Sequence, residues 1–361
     1  MKFGKTLQEL AAELDRQNRE KKDYLVNTNN MIMDASPGNT MLSISNNKTG
    51  ETLMLGINEI AHDQISTKLE IPAKYYNRMR YDNPELLAQN VNSWFNKDQK
   101  QYMIRTLNGT TRAFLSNSYR RIDNFDIAQT VLPILADVFD ITNPLNSYEV
   151  TDQRLYLKVL NPRLTSEVEP GDVVQSGILI TNSEVGLGSL TIQPLVLRLV
   201  CSNGMVVADA RVRKYHAGRK NEANEDYTLY SNETLLADDI ALQLKIRDTV
   251  KSVVDKARFE KVVDLMRNAK NAKITTANIP EMVELAASDF GYTKQEGEGI
   301  LNYLIRGGDL SLYGFANATT RYAQDVNSYD RSTALESIGY DIMGMSPAKW
   351  NKLNATEGAA A

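Results

Sequence analysis

Two stretches of this chain gather positive charge with no carboxylate among them. From Lys100 to Arg121 the cations include Arg105, Arg112 and Arg120. From Arg211 to Lys220 they include Arg213, Lys214 and Arg219, with Tyr215 and His216 inside the run. A third stretch, Lys245 to Lys273, carries nine Lys or Arg against four Asp or Glu. The whole chain is acidic, with a formal net charge of −4, so an anionic partner must be held by a local patch. Phosphates are such a partner, because cations that neutralise them release counterions. Tyr102, Tyr119, Tyr156 and Tyr215 lie among these charges, and unstacked bases need an aromatic face beside cations. The chemistry on offer is therefore the holding of nucleic acid, single-stranded DNA above all. Arg105, Arg112, Arg120, Arg121, Arg211, Arg213, Lys214, His216, Arg219 and Lys220 would face phosphates, and Tyr119 and Tyr215 would face bases. The competing reading is structural: charged helix faces are solvated, and strand tyrosines pack with only their tips wet.

Catalytic chemistry is hard to build from the remaining residues. The chain has no G-x-x-x-x-G-K-[ST] loop, no complete G-x-G-x-x-G, no G-x-S-x-G and no H-E-x-x-H. Its histidines, His62 and His216, are far apart. Cys201 is the single cysteine, which excludes an internal disulfide and a cysteine-based zinc site. At an apolar strand end it reads as inert packing. Asp238 and Asp239 are adjacent, point in different directions on a helix and read as first-turn acids. Glu167 and Glu169 read as a polar hairpin end. Glu184, in a loop after Asn182-Ser183, is the lone carboxylate best placed for chemistry, with His216 as its candidate partner. The expectation is no catalytic site, no metal and no cofactor, with an enzyme built on Glu184 and His216 ranked third.

The elements that must position these residues follow from periodicity and breakers. Arg154 to Lys220 is dense in β-branched and aliphatic residues, broken at Asn161-Pro162, Pro170-Gly171, Gly186 to Gly188 and Ser202-Asn203-Gly204. It reads as consecutive antiparallel strands. In the first, Leu155, Leu157 and Val159 alternate with Tyr156 and Lys158, which predicts one buried and one wet face. The third crosses Pro194, which implies an edge or a bend. The last runs from Met205 to Arg213. Upstream, Thr6 to Lys22 is an amphipathic helix, and hairpins are expected at Met41 to Leu55 and around Asn108-Gly109. Helices are expected over Asn58 to Leu69, Pro72 to Met79 and from Asn83, and over Phe125 to Phe139, which Pro133 should kink or split. Downstream, Asn232 to Lys273 is one long helix or two, and four shorter helices follow. This order predicts an α+β fold: a central antiparallel β-meander backed by helices, with a helical C-terminal region. The expected regions are 1–98 (N-terminal helix, small sheet and helical block), 99–226 (central sheet core), 227–346 (helical) and 347–361 (disordered tail), with the whole also readable as one continuous domain. No apolar run approaches the roughly 18 residues of a membrane span, and the N-terminus lacks the apolar segment of a secretory signal. A cytoplasmic location and no membrane partner are expected.

Four blocks in order carry a family resemblance. They are the run from Arg112 to Tyr119 (RAFLSNSY) with Ile122-Asp123-Asn124; Asn182-Ser183-Glu184 with Gly186; Arg198 to Met205 (RLVCSNGM) with His216; and Gly314 to Thr320 (GFANATT). The chain resembles the phage/plasmid-like protein family, a domain of unknown function, over roughly Ile71 to Ile338. The resemblance implies a mobile-element setting in a bacterial host and brings no assigned chemistry. At the level of architecture, a strand meander backed by a long helix resembles the β-β-β-α core of single-strand annealing recombinases, which form rings and bind single-stranded DNA in a basic groove. That resemblance implies a homo-oligomer and a role in annealing or recombination. The expected function is a phage- or plasmid-encoded nucleic-acid-binding protein. The alternative is a phage accessory or anti-defence protein acting through protein contacts, motivated by the amphipathic N-terminal helix and the long C-terminal helices.

Overall fold

Asn108 and Gly109 both sit at positive φ, 51° and 73°, as a two-residue hairpin turn requires. They fold β5 (Gln101–Leu107) back on β6 (Thr110–Ser116). Around this hairpin a six-stranded sheet forms in the order β1-β5-β6-β4-β3-β2. Its other strands are β1 (Lys22–Asn27), β2 (Met31–Ser36), β3 (Asn39–Ser45) and β4 (Thr52–Ile57). The computed structural model describes residues 1–36, 39–45, 50–207, 212–214, 240–241, 244–251 and 255–355. The hairpin thus lies in the middle of a first sheet and not in the same sheet as the strands after Arg154, as the sheet core expected over residues 99–226 would have it. Its inward residues Ile104 and Phe114 complete the apolar face of Met31, Met33, Leu42 and Leu55. Helices α2 (Glu59–Lys68), α3 (Ala73–Asp82) and α4 (Pro84–Lys97) cover that face with Ile65, Tyr76, Met79, Leu87 and Val91.

The second sheet is the antiparallel meander that the sequence predicts. It comprises β7 (Ser147–Val150), β8 (Leu155–Glu167), β9 (Val173–Asn182), β10 (Leu190–Arg198) and β11 (Asn203–Val206), in the order β11-β10-β9-β8-β7. The short β12 (Val212–Lys214) also pairs with β10. The expected strand from Met205 to Arg213 is therefore divided between β11 and β12. Pro194 lies between their two pairing zones, and Val207 N donates to its carbonyl at 2.9 Å. Its missing N–H faces the break in pairing, so β10 tolerates proline while hydrogen-bonded to β9 throughout.

One face of this sheet carries Leu155, Leu157, Val159, Ile178, Ile180 and Ile192. It is buried by Leu10 and Leu14 of α1 (Leu7–Glu20) and by α5 (Asn124–Val138), with Ile246 and Val250 from helical residues 244–251. Helix α5 passes through Pro133 without being split. The opposite face, expected to be wet, is buried too: Tyr156 and Lys158 are 2% and 0% exposed. The reason lies far along the chain. After α6 (Lys256–Asn271), α7 (Ile279–Phe290), α8 (Lys294–Gly307) and α9 (Leu312–Tyr322), helix α10 (Tyr329–Met343) lies over this face, and α11 (Pro347–Asn354) follows. Lys158 Nζ donates to Glu336 Oε2 at 2.6 Å and sits 4.6 Å from the Tyr329 ring centroid. Burial pulls the Lys158 ammonium pKa down, against the pull of Glu336. Gly204 permits this approach, since a Cβ there would lie 3.1 Å from Glu336 Oε1 and 2.9 Å from Met1 Cβ.

The C-terminal region is helical, as expected. Its core joins Phe259, Val263, Met282, Ile300, Phe315 and Leu335 to Val196 and Met205 of the second sheet. The stretch expected as one helix or two begins a new helix at α6, where the Asp255 side chain accepts from Arg258 N at 2.9 Å.

Removing one member of a buried ion pair strands the other. Lys158→Met should therefore lower unfolding stability by about 3–5 kcal/mol. The double variant Lys158→Met/Glu336→Leu should recover most of that loss in urea denaturation. Equal losses in single and double variants would show that the pair does not hold α10 to the sheet.

Candidate nucleic-acid interface

The cations of the first basic stretch are inside the molecule. Arg105, on the face of β5 away from α2–α4, is 0% exposed. It donates to Asp23 at 2.9 and 3.1 Å, to Asp123 Oδ1 at 2.6 Å and to the Glu184 carbonyl at 3.0 Å. Arg112 is buried and donates to Glu184 Oε2, whose Oε1 accepts from Asn124 N at 2.5 Å. Lys21 closes the group on Asp123 at 2.7 Å. Burial by itself would lower the Arg105 pKa, but Asp23, Asp123 and Glu184 outweigh it and hold it above the ordinary value. Lys21, Arg105 and Arg112 thus face Asp23, Asp123 and Glu184, three cations against three carboxylates, with the exposed Arg121 at the edge of the group.

Neutral contacts from the same segments complete the joint. Tyr119 donates its hydroxyl to Ser183 O at 3.1 Å, and Asn182 Nδ2 donates to Ile122 O and Asn124 Oδ1, both at 2.8 Å. Gln64 bridges Val185 O and Phe114 N, each at 2.7 Å. Gly186, at φ 77°, brings the loop so close that a Cβ would lie 2.6 Å from Leu115 Cδ2. Two blocks distant in sequence therefore meet here: Arg112 to Tyr119 with Ile122 to Asn124, and Asn182 to Gly186. Together they clamp the loop between β9 and β10 onto the outer face of the first sheet.

This corrects part of the sequence reading. Arg105 and Arg112 have internal partners and are out of reach of a phosphate. The Tyr119 ring packs beside Met103, Leu115 and Val185, with its hydroxyl engaged, and is not presented as a platform for a base. Glu184 has both oxygens engaged by the fold. Arg121 is exposed and contacts Asp23 at 3.4 Å, and Arg120 is half-buried. Arg213 and Lys214 fall on β12, paired with Thr191 and Leu190. Arg211, Tyr215, His216, Arg219 and Lys220 lie outside the described residues, so the second basic stretch is not placed against the first.

Among the described residues, cations and aromatics reach the surface together on α3. Lys74, Arg78 and Tyr81 follow at i, i+4 and i+7 and share one exposed face. Tyr75 flanks them; it is 46% exposed and Tyr81 is 68% exposed. Arg80 stands 5.3 Å from the Tyr81 ring centroid and holds Glu59 through two bonds of 2.7 and 2.6 Å. The sequence signal was legible: from Lys74 to Tyr81 there are three cations, three tyrosines and no acid. The helical spacing of Lys74, Arg78 and Tyr81 places them on one side of a short helix.

Beside this face opens a cleft of about 450 Å³. It exists because β4 and β6 pair over only Gly56↔Thr110 and Ile57↔Thr111. Thr40, Gly56, Ile57 and Thr110 line it from the strands, and His62, Arg80 and Tyr81 from the helices. His62 Nδ1 lies 2.9 Å from Tyr76 Oη. Burial, with the nearby Arg80 charge, lowers the His62 pKa from 6.5 to about 4. Among the described residues no group of three or more His, Cys, Asp or Glu is placed to hold a metal ion. Among the described residues no helix is long and apolar enough to cross a membrane.

A family model described as a domain of unknown function, DUF932, matches residues 113–338. The match runs from β6 into α10 and takes in the second sheet and most of the C-terminal helices. No curated protein and no solved structure matches this chain.

Two buried groups make stability fall with acid. Burial alone would raise the Asp123 pKa, but Arg105 and Lys21 outweigh it and lower it from 3.8 to about 2. The unfolded chain therefore binds the proton first, and about 2 kcal/mol present above pH ~4 is lost as pH falls through 2. For His62 the unfolded chain also binds the proton first, so stability is full above pH ~6.5 and falls by about 3 kcal/mol towards pH 4. Urea unfolding at a series of pH values should show the His62 step, and His62→Gln should remove it while leaving the Asp123 step. A wild-type profile flat from pH 6.5 to 4 would contradict the burial argument.

Proposed function

This chain belongs to the DUF932 family, and we propose that it is a nucleic-acid-binding protein of a phage or plasmid, with single-stranded DNA as the favoured ligand. One observation carries the reading: in an acidic chain, α3 presents Lys74, Arg78 and Tyr81 on a single exposed face, with Tyr75 beside them. An exposed aromatic ring beside cations suits an unstacked base with its phosphate. Arg78 has only a long contact to Asp82, 3.8 Å, and both side chains are more than 70% exposed, at 78% and 71%. A phosphate displaces such a carboxylate at little cost. The reading takes the protein to act in the cytoplasm of the bacterial host, by binding and not by catalysis. Annealing or recombination of the bound strands, by a homo-oligomer, is its fuller form.

A second reading, an accessory or anti-defence protein acting through protein contacts, draws on the outer face of the first sheet. There β2 and β4 leave Ile32 and Met54 about half exposed, at 53% and 49%. Such an uncovered apolar sheet face suits a protein partner.

Fluorescence anisotropy with a labelled oligothymidylate tests the first reading. Binding should be micromolar or tighter at low salt and should weaken steeply as salt rises. Lys74→Glu/Arg78→Glu should cost about tenfold or more, and Tyr81→Ala a similar factor at every salt concentration. Absence of binding at low salt, or binding that salt leaves unchanged, would exclude the nucleic-acid reading. Equal affinity in all the variants would move the interface away from α3. Recovery of the same host protein before and after nuclease treatment, lost in Ile32→Lys/Met54→Lys, would favour the second reading.

A further inference from the structure

We propose that the cleft between α3 and the opening of the first sheet seats one unstacked nucleotide of the bound strand. The inference rests on the single-strand reading above and names the unit that this site recognises. At about 450 Å³ the cleft lies within the range of small-ligand sites, roughly 300–1,000 Å³. Its wall chemistry is divided in the way a nucleotide is. Tyr81 supplies an exposed ring face for a base. Thr40 and Thr110 supply hydroxyls, and Ile57 supplies apolar contact. His62, buried in the cleft wall with its Nδ1 2.9 Å from Tyr76 Oη, closes the inner end. Arg80 supplies a planar guanidinium, the group suited to two-point binding of phosphate.

The guanidinium already holds an anion, and that contact identifies its ligand. Glu59 grips Arg80 with both carboxylate oxygens, 2.7 and 2.6 Å away. The Arg80 side chain is 15% exposed whereas that of Glu59 is 72% exposed. Arg80 is thus fixed in the wall, and Glu59 is a carboxylate able to swing into water. A phosphate entering the cleft presents the same two-oxygen edge and takes the place of Glu59. The carboxylate is a competitor for the site, so its removal should strengthen binding. An ion pair that serves only to hold α2 to α3 makes the opposite prediction.

Titration of the full chain with thymidine 5′-monophosphate, followed by calorimetry, tests this. Wild type should bind the nucleotide in the millimolar range or tighter, with thymidine and inorganic phosphate each weaker by about tenfold. Glu59→Gln should bind the nucleotide several-fold tighter than wild type, and Arg80→Gln should bind it about tenfold weaker or not at all. Tyr81→Ala should reduce the nucleotide to the affinity of inorganic phosphate. Thermal unfolding of each variant separates loss of binding from loss of folding, and Glu59→Gln, at an exposed position, keeps the test alive if Arg80→Gln does not fold. No nucleotide binding at about 10 mM by either wild type or Glu59→Gln, or weaker binding by Glu59→Gln, overturns the inference. If oligothymidylate still binds through Lys74 and Arg78 in that case, the cleft alone is excluded. If neither ligand binds, the single-strand reading falls with it.

Discussion

Three cations and three carboxylates share one buried group between the two sheets, and the arrangement of the chain depends on it. Taking charges out of water costs several kcal/mol per ion, and only close opposite charges and complete hydrogen bonding offset that. The group therefore forms properly only when residues 21–23, 105–112, 119–124 and 182–186 are all in place. That requirement links the first sheet to the start of α5 and to the β9–β10 loop. It also explains why the loop carries Gly186 at positive φ, pressed against Leu115.

The same constraint recurs on the other side of the second sheet. Lys158 and Glu336, both 0% exposed, lie between strand β8 and α10. Replacing such a pair with apolar side chains costs little, but losing one partner costs a great deal. Tyr329 completes the site by placing its ring near the ammonium and its hydroxyl 2.7 Å from Ser147. Ion groups at the β9–β10 loop and on the β8 face thus tie the meander to the first sheet and to the C-terminal helices, and the apolar contacts around them fill the space between.

These internal pairs change where binding is to be sought. A cation whose charge is cancelled at hydrogen-bond distance projects almost no field into solvent. Arg105 and Arg112 therefore organise the fold and leave recognition to residues whose partners are exposed or distant. On α3, Arg78 and Arg80 are paired only with carboxylates that water already solvates, and Tyr75 and Tyr81 remain uncovered. Function and architecture draw on the same residue types and differ in what surrounds each one.

The sequence by itself determined the elements that local chemistry controls. The Asn108-Gly109 turn, the strands between Leu155 and Arg198 and the helical C-terminal region are legible because period, breakers and turn residues act within a few positions. The blocks that meet in the joint were legible as blocks, and so was the chain's membership of a family. Tertiary structure alone decided which sheet the β5–β6 hairpin joins, because that depends on edges supplied by β1 and β4. It also decided that Tyr156 and Lys158 are buried, since the helix covering them lies more than 150 residues further on, with Tyr329 173 positions after Tyr156. The fate of each arginine belongs to the same class. A guanidinium and its partner carboxylate attract through space, and one-dimensional order does not record which of them will be neighbours.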